Sequence, residues 1–195
     1  MEPSYKQAPT PPSKGKVLIV YYSRTGHTER VARMLAKATG GDLCAITEDR
    51  SRQGAWGYMR SVWQSTTGRQ PAIHPLGRDP AIADLVLIGT PIWGRHLSSP
   101  VRSFAHGHRR QIKRVAYFST QRGAGSAGAF DELRHILGRS PVATLSLSEA
   151  DIGAGRAALQ VKAFAHRVIA RSVAAASSDR PEPPSMELAS HPRAA

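Results

Sequence analysis

Cysteine is nearly absent from this sequence. Cys44 is the only one in 195 residues, so no disulfide can close within the chain. Its place in Leu43-Cys44-Ala45-Ile46 marks a buried strand position rather than a reactive thiol. Long apolar runs are lacking too: no stretch approaches the roughly 20 residues of a membrane span. Met1 to Gly15 (MEPSYKQAPTPPSKG) contains no apolar h-region of a secretory signal. A cytoplasmic protein is therefore expected. Acidic residues are scarce, with 14 Asp+Glu against 27 Lys+Arg and a formal net charge of +13. Residues 16 to 176 hold 23 basic and 10 acidic residues, the same +13, so the imbalance belongs to the part expected to fold. Anionic partners are favoured: phosphorylated cofactors, acidic proteins or, non-specifically, nucleic acid. The basic residues are scattered and no nucleic-acid module is present, which argues against a specific nucleic-acid partner. Arginine outnumbers lysine 21 to 6, which suits phosphate and carboxylate contacts and equally suits a GC-rich genome.

With 41% hydrophobic residues over this length, one α/β domain with a full core is predicted. Residues 1–15, with four prolines, and the proline-rich stretch 177–195 read as disordered segments flanking a domain over 16–176.

The chain is organised around Lys16 to Ala38. Val17 to Tyr22 is an apolar, β-branched and aromatic run, the pattern of a strand buried on both faces of a parallel sheet. Val31, Met34, Leu35 and Ala38 then recur at helical spacing. Between them lies Ser23-Arg24-Thr25-Gly26-His27-Thr28. A hydroxyl-rich loop opening into a helix N-terminus makes an anion site, with Gly26 allowing close approach of a ligand. The plainer alternative is a strand-to-helix turn capped by Thr25 or Thr28. A Walker P-loop is excluded, because no Gly-Lys-Ser/Thr follows.

Further strands are predicted over Asp42–Thr47, Ala83–Thr90, Arg114–Thr120 within Ile112–Thr120, and Pro141–Leu147. The connection from Glu48 to Pro80 carries Trp56, Met59 and Trp63 at helical spacing. That stripe reads as a face packed on the sheet, or alternatively as a cover over a ligand or a contact between copies in a homodimer. Ser98-Ser99-Pro100 predicts a hydroxyl-capped helix. His106-x-His108 near its end lacks a third ligand, and no metal site is expected there. Gly123-x-Gly125-x-x-Gly128 formally fits a dinucleotide fingerprint. It follows the fourth strand, however, with one strand to come, whereas that fingerprint belongs to the first strand of its unit. A last helix is expected over about 155–175.

Three of these loops together resemble the FMN site of flavodoxin-like proteins, over roughly Lys16 to Ala170. The resemblance implies a five-stranded parallel sheet in order 2-1-3-4-5 with helices on both faces. It implies a phosphate loop formed by Ser23, Arg24, Thr25, Gly26, His27 and Thr28. A first ring loop would comprise Thr90, Pro91, Ile92, Trp93 and Gly94, with Trp93 on one face of the flavin unless it is a core tryptophan. Gly94 would let a peptide turn toward flavin N5. A second ring loop would comprise Ser119, Thr120, Gln121, Arg122, Gly123 and Gly125. Electron-carrying members are typically acidic, whereas this second loop holds Arg122 and no carboxylate, and Arg95 and His96 add positive potential. The implied activity is transfer of electrons from NAD(P)H to a quinone or similar acceptor, at a less negative potential than in acidic carriers. A one-electron carrier docking to redox proteins is the alternative. A flavin-less regulatory or nucleic-acid module is disfavoured by the intact hydroxyl-rich loop. His96 would supply a proton to the reduced acceptor, or serve only as a packing or capping residue.

Overall fold

The computed structural model describes residues 16–48 and 70–178. The expectations for residues 1–15, for the Trp56-Met59-Trp63 stripe and for the tail from 179 lie outside these residues. The elements run β1 (Val17–Tyr21), α1 (His27–Thr39), β2 (Asp42–Ala45), β3 (Leu85–Trp93), β4 (His96–Leu97) and α2 (Ser99–His108). They continue with β5 (Val115–Gln121), α3 (Ser126–Leu137), β6 (Thr144–Ser148), the short α4 (Glu149–Gly153) and α5 (Ala157–Ser178). A 3-10 turn, Pro80–Ile82, precedes β3.

Five strands pair in parallel in the order β2-β1-β3-β5-β6. Counted among the parallel strands alone, this is the predicted 2-1-3-4-5 order. The sixth strand, β4, was not foreseen. It arises because β3 runs on through Pro91-Ile92-Trp93, where the sequence suggested a loop, and folds back antiparallel (Ile92↔Leu97, Trp93↔His96). The two-residue turn between them puts Gly94 at φ 55° and Arg95 at φ 69°. Left-handed backbone at both central positions is the requirement of the hairpin turn that matches strand twist. Arg95 takes up a conformation that non-glycine residues seldom adopt.

The sheet is covered on both faces because its strands alternate two apolar sets. Leu18 and Val20 of β1, Val86 and Ile88 of β3, and Val115 and Tyr117 of β5 face the layer of α2 and α3, meeting Val101, Phe104 and Leu133. Ile19 and Tyr21, Leu85 and Leu87, and Ala116 and Phe118 face α1 and α5, meeting Val31, Leu35, Val161 and Phe164. Each large apolar side chain so buried contributes about 1.5–3 kcal/mol. Residues 70–79 follow the α2 side. The His74 N–H donates to Thr47 O at 2.9 Å, and Ser103 Oγ donates to Pro71 O at 2.7 Å. Cys44 is buried as expected, and burial pushes its thiol pKa up. Among the described residues no helix is long and apolar enough to cross a membrane.

One side-chain contact between the paired strands β3 and β5 has no slack. Gly89 lies opposite Phe118, and a Cβ built on Gly89 would sit 2.1 Å from Phe118 Cζ. The Phe118 ring is fully buried and has nowhere to retreat. Gly89→Ala is expected to cost about 1–3 kcal/mol by overpacking, and Phe118→Ala about 3–5 kcal/mol by cavity formation. In urea unfolding the double variant should lose less than the sum of the two, the sign of a shared space. A second test uses pH. Burial raises the Tyr117 phenol from 10.0 to about 12. Between those values the unfolded chain has released this proton and the native chain has not, so stability should fall as pH rises from 10 to about 12, by up to about 1.4 kcal/mol per unit. Tyr117→Phe should make that slope shallower in an alkaline unfolding series, the remainder coming from Tyr21 and Cys44, which burial also raises.

Candidate ligand-binding site

The switch point lies between β1 and β3, whose crossovers leave in opposite directions, and the loops after β1, β3 and β5 meet there at the carboxyl edge of the sheet. The first loop is anchored at its start. Tyr22 N donates to Gly89 O at 3.1 Å, and its hydroxyl donates to Glu48 Oε1 at 3.0 Å. Gly26 then takes φ 87° at the N-cap of α1. Space around a Gly26 Cβ is open, so backbone conformation rather than crowding is what calls for glycine here. Neither Thr25 nor Thr28 caps the helix. Ser23 Oγ accepts from Glu29 N at 3.2 Å, which leaves the earlier N–H groups of α1 directed at the loop. Thr28 is buried and pairs with Thr120 across 2.8 Å, tying α1 to β5.

In the second loop Thr90 is fully buried. Its hydroxyl donates to Pro91 O at 2.9 Å and shares a second bond with Ser98 Oγ at 2.9 Å. Ser98 is the N-cap residue of α2 as predicted, yet its hydroxyl is committed to Thr90 and makes no cap bond. Pro100, in the first turn, has no N–H to cap. Trp93 is only 4% exposed. Its ring meets Tyr22 edge-on, with centroids 5.5 Å apart and planes at 87°. Trp93 is thus a core tryptophan with one side toward the cleft, rather than an exposed stacking platform.

In the third loop Ser119 and Thr120 are buried, Ser119 Oγ donating to Ser146 Oγ at 3.3 Å. Gln121 ends β5. Gly125 has φ 123°, and a Cβ there would lie 2.6 Å from Arg95 Cα, so the β3–β4 turn and the β5–α3 loop touch backbone to backbone. Only glycine permits this approach.

The result is a cleft of about 300 Å³. It is lined by Arg24 and Thr25, by Pro91, Ile92, Trp93, Gly94 and Arg95, by Gln121, Arg122, Gly123 and Ala124, and by Glu149. The other predicted positions, Ser23, Gly26, His27, Thr28, Thr90, Ser119, Thr120 and Gly125, are absent from this lining and shape the loops behind it. His96 is half-buried on β4 and does not line the cleft either, so this structure gives it no place from which to deliver a proton there.

Glu149 escaped the sequence reading and corrects it. Arg122 Nε donates to Glu149 Oε2 at 2.7 Å, and His27 Nε2 lies 3.9 Å from the same oxygen. The loop itself holds no carboxylate, as read, but Glu149 supplies one from α4, and Arg122 contributes less net positive potential than its charge suggests. The available signal was Ser148-x-x-Asp151. Ser148 Oγ caps α4 by accepting from Asp151 N at 3.0 Å, which places Glu149 in the first turn just past β6, on the edge where the loops converge. Hydrogen bonds from Ser148 and Arg156 hold the Asp151 carboxyl below its ordinary pKa. Gln121 lines the cleft too, although its Oε1 is shut off from solvent and has no hydrogen-bond partner among the described residues.

An open, doubly wound sheet with a cationic cleft at its switch point defines a class of α/β ligand-binding proteins. The chain belongs to the flavodoxin family, whose model matches residues 16–144. Solved structures agree on the fold. A Lactobacillus acidophilus flavoprotein, solved in complex with FMN, is 20% identical with a TM-score of 0.60, covering 72% of this chain and 97% of its own. A Bacteroides uniformis protein provisionally termed a flavoprotein is 24% identical with a TM-score of 0.64, covering 77% and 97%. One from Bacteroides eggerthii, also provisionally termed a flavoprotein, is 29% identical with a TM-score of 0.60, covering 76% and 98%. No curated protein sequence gives a match.

The buried Thr28–Thr120 pair should register in stability. Thr28→Val leaves the Thr120 hydroxyl unsatisfied and is expected to cost about 1–3 kcal/mol, a few degrees of melting temperature. Replacing both threonines by valine should recover most of that loss, since neither hydroxyl is then stranded.

Proposed function

We propose that this chain binds FMN in the cleft and acts as an oxidoreductase, moving electrons from NAD(P)H to a quinone or similar acceptor. The observation that carries the reading is the meeting of an anion-accepting loop with the loops after β3 and β5 in one cleft at the switch point. Three arginines line that cleft against one carboxylate. The residues fit such a group. The backbone N–H groups of the Ser23–Thr28 loop and the α1 N-terminus would hold the phosphate, aided by Arg24. Pro91 to Gly94 and Gln121 to Gly123 would hold the ring. When bound, FMN supplies the redox chemistry, accepting a hydride and passing electrons on singly or in pairs.

The protein's share is to bind, orient and set the charge. Trp93, fixed edge-on by Tyr22, and the rigid β3–β4 turn form one wall. The β5–α3 loop forms the other. Arg24, Arg95 and Arg122 draw anionic donors such as NAD(P)H toward the mouth of the cleft. Alignment of donor and ring is the main requirement of hydride transfer, and it needs no acid or base from the protein. A second reading, a one-electron carrier that docks to partner proteins, is favoured by Glu149, which offsets Arg122 at the rim.

Anaerobic visible spectra of protein reconstituted with FMN separate the two. Bleaching of bound flavin within seconds of adding NADPH or NADH is the outcome expected for the reductase, and comparing the two donors identifies the nicotinamide used. A bound flavin that stays yellow with both points to the carrier. Failure to retain FMN on a desalting column would remove both.

A further inference from the structure

The helices α1 and α5 pack side by side on one face of the sheet, α1 burying Val31 and Leu35 and α5 burying Val161, Phe164 and Val168. Their remaining residues therefore look outward together. From α1, Arg30, Arg33 and Lys37 reach the surface, beside the half-buried Met34 in a shallow groove. From α5 come Lys162, Arg167 and Arg171. The only carboxylate on either helix is Glu29, already bonded to Arg33 at 2.6 Å. Arg171 spends one N–H on Val142 O at 2.6 Å and keeps its charge. The opposite layer is balanced, since Arg102 of α2 pairs with Glu132 and Arg134 of α3 with Asp131. The charge asymmetry between the two layers is joined by a second observation. Leu159 and Val173, 78% and 47% exposed, both lie on the outward side of α5. A rise of 1.5 Å per residue puts them about 21 Å apart along the helix. At 100° per residue, Lys162 falls on one flank of the line joining them and Arg167 and Arg171 on the other.

We infer that the outer face of α1 and α5 docks on a membrane surface rich in anionic lipid. Its lysines and arginines meet the phosphate headgroups, and Leu159 and Val173 enter the boundary between headgroups and acyl chains. A single exposed leucine is ordinary, but aliphatic side chains flanked on both sides by cations, on a helix without one carboxylate, are the composition of a surface that lies on a bilayer. Charge complementarity favours lipid over other anions. Strand-tracking nucleic-acid sites stack bases on aromatic side chains, and neither helix exposes a Phe, Tyr or Trp. A folded acidic protein must present its carboxylates in a fixed pattern, whereas mobile headgroups meet cations on two helices at once without a preset register. Each basic side chain at such a surface strengthens binding about 5-fold, and salt weakens the attraction. None of these residues lines the cleft, so the inference is independent of the FMN reading.

Sedimentation of the full chain with vesicles tests this. Wild type should pellet with vesicles of phosphatidylcholine mixed with phosphatidylglycerol, stay in solution with phosphatidylcholine alone, and be released as salt is raised. Lys162→Glu with Arg167→Glu should weaken binding by at least about 25-fold. Arg109→Glu with Arg110→Glu makes the same change in net charge just past α2, on the opposite layer, and should cost less than about 5-fold. Leu159→Ser with Val173→Ser should cost about 10-fold at unchanged charge. Because Cys44 is buried, an environment-sensitive fluorophore on Leu159→Cys reports this face alone. Its emission should shift to the blue on the anionic vesicles, and the same label on His135→Cys of α3 should not respond. Wild type that fails to pellet, equal losses from the two charge variants, or an unchanged label at 159 would each overturn the inference. Tighter binding of wild type to duplex DNA or to poly-glutamate than to the vesicles, at matched anionic charge, would overturn it as well and give the face to a nucleic acid or an acidic protein.

Discussion

Because β1, β3 and β5 each carry one apolar set toward α1 and α5 and another toward α2 and α3, none of them can lie at a wet surface. Both faces must be covered, and parallel strands covered on both faces need a crossover helix after each strand. Among the described residues the five parallel strands then end at the same edge, and α1 and α3 start there directly. Loop backbone, helix N-termini and the switch point are thereby gathered into one place before any functional side chain is considered. The Phe118 ring lies close over Gly89, on the two strands whose loops form the cleft walls, and leaves no room for a side chain there.

Hydroxyl groups behind the cleft hold this arrangement in place. Thr28 with Thr120 and Thr90 with Ser98 each join two different elements across a buried gap, and the buried Ser119 of β5 reaches the exposed Ser146 of β6. The sequence positions of Thr28, Thr90, Ser119 and Thr120 inside otherwise ligand-like loops suggested direct contact with a bound group. Their burial assigns them to alignment of the loops, leaving the lining to Thr25, backbone, arginine and glutamine. Arg102 plays a comparable part lower down, buried between α2 and α3 with Glu132 and the Leu97 carbonyl as partners. An ion pair of this kind is costly to break from one side and so pins the two helices in a single register.

What could be read from the sequence divides along physical lines. Strand and helix positions were legible because burial writes itself as period: the run Val17–Tyr22 and the spacing of Val31 and Leu35, both buried, leave little choice, although Ala38 of the same predicted stripe is exposed. The order of the parallel strands followed from the same alternation and the family resemblance. Loop interiors were less legible. The β4 hairpin depends on Arg95 adopting a left-handed backbone, which its identity does not announce. Ser98 looked like a helix cap, and only the proximity of Thr90, eight residues away, shows that its hydroxyl is already engaged. Glu149 belongs to the site through contacts with His27 and Arg122 that span 122 and 27 residues, and no local pattern encodes those.

The touch between Gly125 and Arg95 has a mechanical meaning. Two loops that meet backbone to backbone cannot open like separate jaws, and a single methyl group at 125 would act as a wedge between them. The gap is accordingly a gauge of fixed width, set by main chain that no rotamer change can alter. The entropy of bringing its two sides together is met when the chain folds rather than when a guest arrives. Discrimination in such a slot begins with thickness: a flat guest is admitted or refused before any hydrogen bond is formed.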